Sequence, residues 1–303
     1  MAKAACPIYI AAMTRIAVLT PDPADASYAG QWPGVLSRLS DALAVAGIVV
    51  EPTPWSDHVD DASALLDYPL VLAVIAWGYH RDHDRWLAGT KAWAEAGVRI
   101  ANPASVLGWN SDKSYLGRLA DLGVPIAPTI WSDAITPGQV EAAFATFGND
   151  QIIVKPVVSA GAFRTLRLAR GQAVVDPPVG RAMFQPYLPT IASEGELSLL
   201  FFGGRFSHAV NKRPVDGDFR IQVQFGGLYT AVAHVSAEAL ALATQVLEAI
   251  DEPLLYARID MVRDEDGRWL LMEAELIEPD FYLGTSPEAG AAFADAVNRR
   301  LAA

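Results

Sequence analysis

The sequence predicts an α/β protein: a doubly wound parallel-sheet domain at the N-terminal end, followed by an α+β region built on hairpins. Three observations carry this reading. Over residues 15–101 short apolar runs alternate with helical stretches, the rhythm of βαβ units. Those runs are apolar throughout, as strands covered on both faces are. From Met183 onward the runs alternate and are joined by glycine-containing turns, the pattern of antiparallel hairpins.

In chain order, Arg15–Thr20 reads as a buried strand and Gly34–Ala46 as a helix stopped by Gly47. Ile48–Trp55 and Leu70–Trp77 are the next strands. Trp86–Ala96 is a helix closed by Gly97, a residue suited to the left-handed position after a last helical turn, and Arg99–Ala101 is a brief strand. This first domain, 14–104, ends near Asn102-Pro103. Residues 1–13 are apolar with Lys3 as their one charge and no cleavage-like region, so they read as a disordered extension, with Met13 as an alternative start.

A small lobe, 105–182, follows: helix Ser111–Leu122 with Gly123 as its stop, strand Ile126–Trp131, helix Pro137–Phe147 and strand Ile152–Pro156. The final lobe, 183–303, holds the hairpin Glu196–Phe202/Arg205–Lys212 around Gly203-Gly204 and a strand Arg220–Gln224. Helix Ala237–Ile250, a second hairpin and helix Glu288–Leu301 complete it.

Composition narrows the function classes. The chain has 303 residues, 52% hydrophobic and 19% charged, with ample material for a core. A net charge of −12 argues against nucleic acid and anionic membranes, which need a basic footprint. No apolar run approaches the ~20 residues of a membrane span. The single cysteine, Cys6, excludes an internal disulfide framework and fits a reducing cytoplasm. No Gly-x-Gly-x-x-Gly follows the first strand, and no Walker A, His-Glu-x-x-His or Gly-x-Ser-x-Gly pattern occurs. Dinucleotide binding, P-loop chemistry, zincin hydrolysis and a nucleophile elbow are therefore unsupported. His80-Arg81-Asp82-His83-Asp84 reads as a charged loop or helix start, because no further His or Cys converges on it by spacing.

The densest chemistry lies in Arg258–Val262, Asp264–Gly267 and Leu270–Leu276, two apolar alternating runs around an acidic turn. If the turn closes at Glu265-Asp266, residue 260 lies opposite 271. Arg258, Asp260, Leu271, Glu273 and Glu275 then share one face, with Ile259, Met261, Leu270, Met272, Ala274 and Leu276 on the other. Asp260 is diagonal to Glu273, about 5.5–8 Å away. Carboxylates held that close repel unless a cation lies between them, and hard oxygens on a rigid sheet suit Mg²⁺. The competing reading is a solvated acidic face, which would carry lysines across the hairpin; here only Arg258 is available. Upstream, Lys155 ends a strand and precedes the small-residue loop Pro156–Ala162, able to hold a phosphate by charge and exposed N–H groups. Phe184–Leu188 reads as a hinge whose main chain could face an adenine edge, or as an ordinary interdomain strand.

Taken in order, these segments resemble the ATP-grasp ligase superfamily, from about Asn102 to Leu283. The parts are Asn102-Pro103, the helix lysine Lys113, Val154-Lys155-Pro156, Gln185-x-Tyr187-Leu188, Phe219-Arg220 and Asp260…Glu273-x-Glu275. Within it the chain is similar to the glutathione-synthetase-like branch, and to the O-ureido-serine cyclo-ligase group of cycloserine biosynthesis. Trp77-Gly78-Tyr79, Gly195–Ser198, His208–Val210, Lys212–Pro214 and Leu276–Pro279 carry that narrower resemblance.

The resemblance implies a pre-ATP-grasp domain followed by a two-lobed ATP-grasp module, and a carbon–nitrogen ligase dependent on ATP and Mg²⁺. It implies an acylphosphate intermediate and a small amino-acid-like substrate, with ring closure within one molecule as one form. Lys113 and Lys155 would contact phosphates, with Ser159, Ala160 and Gly161 in the loop closing over them. Gln185, Tyr187 and Leu188 would frame adenine, with Glu196 on the ribose. Asp260, Glu273 and Glu275 would hold one or two Mg²⁺, Mn²⁺ being the alternative ion. Lys212, Arg220 and Arg258 would serve the reacting centre. Tyr28, Trp32, Tyr79 and His80, in loops after parallel strands, would meet the substrate; packing is the competing role for Trp32. Relatives imply a homodimer or homotetramer. Two departures stand out: many relatives carry Asn at the position of Glu275, and this phosphate loop has Gly161 alone between Ala160 and Ala162. The competing functions are a phosphotransferase on the same nucleotide site and a non-catalytic ATP sensor.

Overall fold

The computed structural model of the protein describes residues 13–222 and 225–303; the expected extension lies outside them except for Met13. Among the described residues the strands form three sheets.

The first sheet is parallel, order β2-β1-β3-β4, from β1 (Thr14–Thr20), β2 (Ile48–Pro54), β3 (Val71–Leu72) and β4 (Ile100–Ala101). Helices α1 (Trp32–Ala44) and α2 (His83–Ala96) connect its strands. Gly97 closes α2 at φ 73°, its N–H donating to the Trp93 and Ala94 carbonyls. The expected strand Leu70–Trp77 pairs only at Val71–Leu72. Beyond Leu72 the chain turns, with Ala76 N–H donating to Ala73 O at 2.9 Å. Ala73, Ile75 and Ala76 nevertheless remain fully buried, so the apolar run reports burial rather than strand length.

Next come α3 (Ala104–Asn110) and α4 (Tyr115–Asp121). The sequence leads one to expect a single helix Ser111–Leu122. Instead Asp112 accepts the Ser114 N–H at 2.8 Å, a local side-chain bond that competes with helix formation. Lys113 therefore sits in the turn between the two helices.

The second sheet is antiparallel, order β5-β8-β6-β7: β5 (Ile130–Ser132), β6 (Gln151–Pro156), β7 (Leu166–Ala169) and β8 (Ala182–Pro186). Helix α5 (Pro137–Phe147), opened by a Thr136/Gln139 capping box, covers one face with Val140, Ala143 and Phe144. Along β6, Ile152 and Val154 point into that core and Ile153 and Lys155 point away from it.

After the short α6 (Thr190–Ser193) comes the third sheet, order β11-β10-β9-β12-β13. Its strands are β9 (Glu196–Phe202), β10 (Arg205–Arg213), β11 (Leu228–Ala231), β12 (Tyr256–Arg263) and β13 (Trp269–Glu275). Helices α7 (Ala237–Ile250) and α8 (Ala289–Ala302) pack on it. The expected strand Arg220–Gln224 is not one over Arg220–Gln222, and 223–224 lie outside the described residues. There the Asp218 carboxylate accepts the Phe219 and Arg220 N–H groups, bending the chain, and β11 pairs with β10 in its place.

The β12–β13 hairpin differs from expectation by one residue. Its turn spans Asp264–Arg268, and the register is Met261↔Leu271 but Asp260↔Glu273. Met272 is the extra residue of a bulge. Since one residue of slip exchanges faces, Leu271 joins Met261 in the core, while Leu270 and Met272 pack with Val262 and Leu188. Arg258, Asp260, Glu273 and Glu275 share a face as expected, with Asp260 and Glu273 directly paired rather than diagonal.

Among the described residues the outer edge of β13 meets no further strand. Asn110 donates to Ala274 O at 2.9 Å and accepts from Leu276 N at 3.0 Å; the Tyr115 hydroxyl exchanges bonds with Ala274; Leu271 N–H donates to Pro125 O at 2.8 Å and its carbonyl accepts the Ala127 N–H at 3.3 Å. Residues 105–122, grouped by sequence with the small lobe, thus pack into the core of the third sheet through Val106, Tyr115, Leu116 and Leu119. Buried Asn102 similarly ties Leu255, Tyr256 and Leu276 together. A continuous core joins β1, α1, α8 and β9.

Candidate active site

The second and third sheets face each other across a cavity of about 980 Å³, closed on a third side by loops of the N-terminal sheet. That volume is at the upper end for small-molecule sites and accommodates a nucleotide together with a second small ligand.

The floor is the ladder of β10, β9, β12 and β13. Side chains of alternate residues on adjacent antiparallel strands meet, which brings Lys212, Ser198, Asp260 and Arg258 together. Lys212 lies 2.5 Å from Glu196 and 3.0 Å from Asp260. Asp260 also accepts from Ser198 Oγ at 2.5 Å and from Arg258 Nη2 at 2.9 Å. Arg258 reaches across to Glu275. Burial opposes charge on Asp260, yet Arg258 and then Lys212 outweigh it and hold the carboxyl below the usual range. Glu275 goes the other way: burial, incompletely offset by Arg258 and reinforced by Asp260 and Glu273, pushes it up to about 8.

The second wall supplies cations. Lys113 pairs with Glu273 and donates to the Ser159 carbonyl at 3.0 Å. Its charge is opposed by burial and restored by Glu273. Lys155 projects from β6 with no carboxylate within 4 Å among the described residues, and burial, then Lys113, disfavour its charge against the pull of Glu273. The loop Ser159–Thr165 passes Gly161 at φ 57° and Ala162 at φ 61° and lines the same cavity.

Beyond Lys155 the cavity becomes apolar. Gln185, Tyr187, Leu188, Ile191 and Met272 line a slot, its floor formed by the cluster around Ala127, Leu188 and Val262. Gln185 is buried and donates to Thr129 Oγ1 at 3.0 Å; the Tyr187 ring carries Arg167 at 3.9 Å. The Met272 bulge is what turns a thioether into this slot.

On the third side stand Tyr28, Trp77, Tyr79, His80 and Arg81. His80 is 9% exposed, and its Nδ1 has no hydrogen-bond partner among the described residues. Burial, then Arg81 and Lys113, depress it to about 4, so the ring is neutral near pH 7. Phe163 of the phosphate-side loop rests 5.2 Å from the His80 ring. Trp32 does not line the cavity; it packs at the start of α1 against the core. Arg220 lines the cavity while paired to Asp218 at 2.8 Å and stacked on Phe225 at 3.7 Å.

The cavity thus gathers the residues singled out from sequence, Trp32 excepted. It adds Arg81, Glu278 and Tyr282, to which sequence reasoning gave no role, and brings in Phe163 from the loop expected to close over the site. For Glu278 a signal existed: it sits three residues past Glu275, in the quoted run Leu276–Pro279.

Whether Mg²⁺ fits rests on these donors. Among the described residues no three His, Cys, Asp or Glu side chains converge with metal spacing. The hairpin carboxylates share a face but are drawn to Lys113, Lys212 and Arg258 instead. Lys113, Lys155, Lys212 and Arg258 interleave with Glu196, Asp260, Glu273, Glu275 and Glu278, and Arg38, Arg81, Arg164, Arg220 and Asp280 line the same cavity. A triphosphate brings about four negative charges beside these carboxylates, and divalent cations offset the repulsion between them. Hard, mutually repelling oxygens beside a phosphate-sized space are the donor chemistry Mg²⁺ takes. The residues fit.

Comparison with known proteins agrees with this geometry. Residues 13–102 match the family model for the N-terminal domain of D-cycloserine synthetase DcsG. The chain is 30% identical over 291 residues to the cycloserine biosynthesis protein DcsG of Streptomyces lavendulae, covering 87% of this chain and 92% of that protein. A glutathione synthetase of Prochlorococcus marinus (strain MIT 9313) is 29% identical over 288 residues, covering 89% and 86%. The crystal structure of D-cycloserine synthetase DcsG superposes with a TM-score of 0.78 at 25% identity, over 95% of this chain and 99% of that one. The D-alanine–D-alanine ligase of Bacillus anthracis shares the fold, with a TM-score of 0.69 at 13% identity over 95% and 97%. The chain belongs to the DcsG family of ATP-grasp ligases and is an ATP-dependent ligase that forms carbon–nitrogen bonds.

Proposed function

We propose that this ligase activates the carboxylate of a small amino-acid-like substrate as an acylphosphate and closes it onto a nitrogen of the same molecule, as a ring-forming synthetase. The single observation that carries this reading is the joint cavity: one wall cationic and slotted for a nucleotide, one of carboxylates, one of polar N-terminal loops.

In this reading the apolar slot at Tyr187, Leu188 and Met272 takes the adenine, and Gln185 and Glu196 lie beside it. Lys113 and Lys155 hold phosphate oxygens under the loop Ser159–Gly161. Asp260, Glu273 and Glu275 would hold Mg²⁺, which when bound would spread the negative charge of the transferring phosphoryl group. A substrate carboxylate oxygen bonds to the γ-phosphorus as its bond to the bridging oxygen breaks and ADP leaves. Lys212, Arg220 and Arg258 face that region and offset the repulsion between two anions. The nitrogen then bonds to the acyl carbon, phosphate departs and the nitrogen loses a proton. Phe163 against His80 seals the cavity, limiting loss of the acylphosphate to water.

The test is a phosphate-release screen across amino acids and ureido and hydroxamate analogues, O-ureido-serine first, with mass spectrometry of products. ADP, free phosphate and a new amide together support the reading. ADP without phosphate would make the protein a phosphotransferase, and ATP-protected folding without turnover would make it a sensor.

A further inference from the structure

Two acidic side chains of the cavity lack what the others have: Asp280, which is exposed and accepts the Tyr282 N–H, and Glu278, which is not exposed. Glu196, Asp260, Glu273 and Glu275 each lie within 4 Å of a lysine or arginine nitrogen. Glu278 lines the same cavity and, among the described residues, forms no ion pair. Its neighbouring cations are engaged elsewhere: Lys113 by Glu273, Arg258 by Asp260 and Glu275. A largely buried carboxylate without a counterion is costly, and the counterion must come from what enters the cavity.

Building on the proposed function, we infer that Glu278 binds the α-ammonium of the substrate, against the aromatic wall made by Tyr28, Trp77 and Tyr79. Three observations carry this. The charge of Glu278 is felt by Tyr28 and Tyr79 of the N-terminal loops as well as by Lys113 and Glu275, which places it where those loops meet the floor of the cavity. That wall already receives a cation, for the Arg81 guanidinium lies 5.1 Å over the Tyr28 ring; an ammonium gains from aromatic faces, whereas Mg²⁺ requires a shell of oxygens. And the buried Nδ1 of His80, on the same side, has no partner. That nitrogen is itself buried, so it accepts from an –NH₃⁺ or ureido N–H group only once the loop carrying His80 shifts to expose it. Burial, only partly offset by Lys113, pushes the Glu278 carboxyl up to about 7, as befits a group whose counterion is brought by a ligand.

The arrangement makes the ligase select amino acids over the same acids without the amine. The experiment compares O-ureido-serine, as both enantiomers, with 3-(ureidooxy)propionic acid in the phosphate-release assay, for the wild type and Glu278→Gln. The expected result is a KM about 10- to 100-fold lower for the amino acid in the wild type, the range of a charged hydrogen bond. In Glu278→Gln the two compounds converge while the KM for MgATP is unchanged. Equal wild-type KM values overturn the inference with no variant needed. A Glu278→Gln enzyme whose defect is a raised Mg²⁺ or MgATP requirement overturns it too, assigning the residue to the metal. If the wild type turns over neither compound, the ring-closing reading falls and this inference with it.

Discussion

Replacing Lys212 by methionine tests whether the floor of the cavity is an interdependent ionic lattice. The lysine is 3% exposed and sits 2.5 Å from Glu196 and 3.0 Å from Asp260. Methionine fills nearly the same volume, so the perturbation is one of charge. Asp260 keeps Arg258 and Ser198, but Glu196 is left with no cation within 4 Å among the described residues. An uncompensated buried carboxylate costs about 3–5 kcal/mol, equivalent to roughly 6–15 °C in Tm. The deficit depends on pH in a fixed direction. Burial already raises the Glu196 carboxyl above its ordinary value against the pull of Lys212, and without the lysine it rises further. A raised carboxyl binds a proton in the native state that the unfolded chain has released, so the penalty grows as pH climbs above about 4.5 and fades below it. Urea denaturation of Lys212→Met at pH 5 and pH 8 reads this directly. The double variant Lys212→Met/Glu196→Gln removes the stranded charge and is expected to recover stability to within about 1 kcal/mol of wild type. A loss below about 1 kcal/mol for the single variant, equal at both pH values, refutes the reasoning.

Asp260→Asn and Glu273→Gln are expected to lower kcat by about 10³-fold or more while far-UV circular dichroism stays unchanged; wild-type-like rates in both would remove the metal assignment. For the wild type, the unfolding free energy from urea titrations is expected to fall between pH 6.5 and 8 by about 1 kcal/mol. In that window Glu275, pushed up to about 8, and Glu278, pushed up to about 7, hold native-state protons that the unfolded chain has released, and the depressed histidines His58, His80, His83 and His208, which still lose protons in the unfolded chain, offset part of the fall. A midpoint that rises over this interval contradicts those positions. Removing divalent metal with EDTA is expected to weaken ATP binding by about 10-fold or more in calorimetry, since Asp260, Glu273 and Glu275 then face the phosphates with no ion between them. Phe163→Ala is expected to raise phosphate released per product formed, because the contact with His80 that closes the loop is gone; an unchanged ratio would detach that contact from sealing.

Much of the site was legible because its chemistry is written in local alternation. Arg258, Asp260, Glu273 and Glu275 share a face in any hairpin that joins these two runs. Helices 137–147 and 237–250 appeared at their observed bounds because each begins with a side-chain cap, Thr136 or Ser236. What escaped was set by contacts distant in sequence. The Met272 bulge is fixed by what the two sides of β13 meet, the core around Met261 and the slot around Leu188, which no local pattern states. The split of the expected helix at Asp112 was visible in principle, as an Asx turn, but its consequence, Lys113 at a turn reaching both Glu273 and Ser159, depends on strands many residues away. Glu278 stood in a quoted run, but its place in the cavity without an ion pair among the described residues is a property of the folded chain that the run does not state. The apolar run 70–77 misled about strand length because full burial and β-pairing leave the same imprint on composition.

The closure of β13 by α3 and α4 has a mechanical corollary. A strand flanked by another strand can shear along a repeating ladder, but Asn110 and Tyr115 grip Ala274 and Leu276 at fixed points, on either side of Glu275. The helical pair and the acidic strand therefore translate together, as a lever and its load. Because α3 follows directly from Asn102, itself bonded to Leu255, Tyr256 and Leu276, any rocking of the N-terminal sheet is delivered to the two glutamates without passing through the cavity between them.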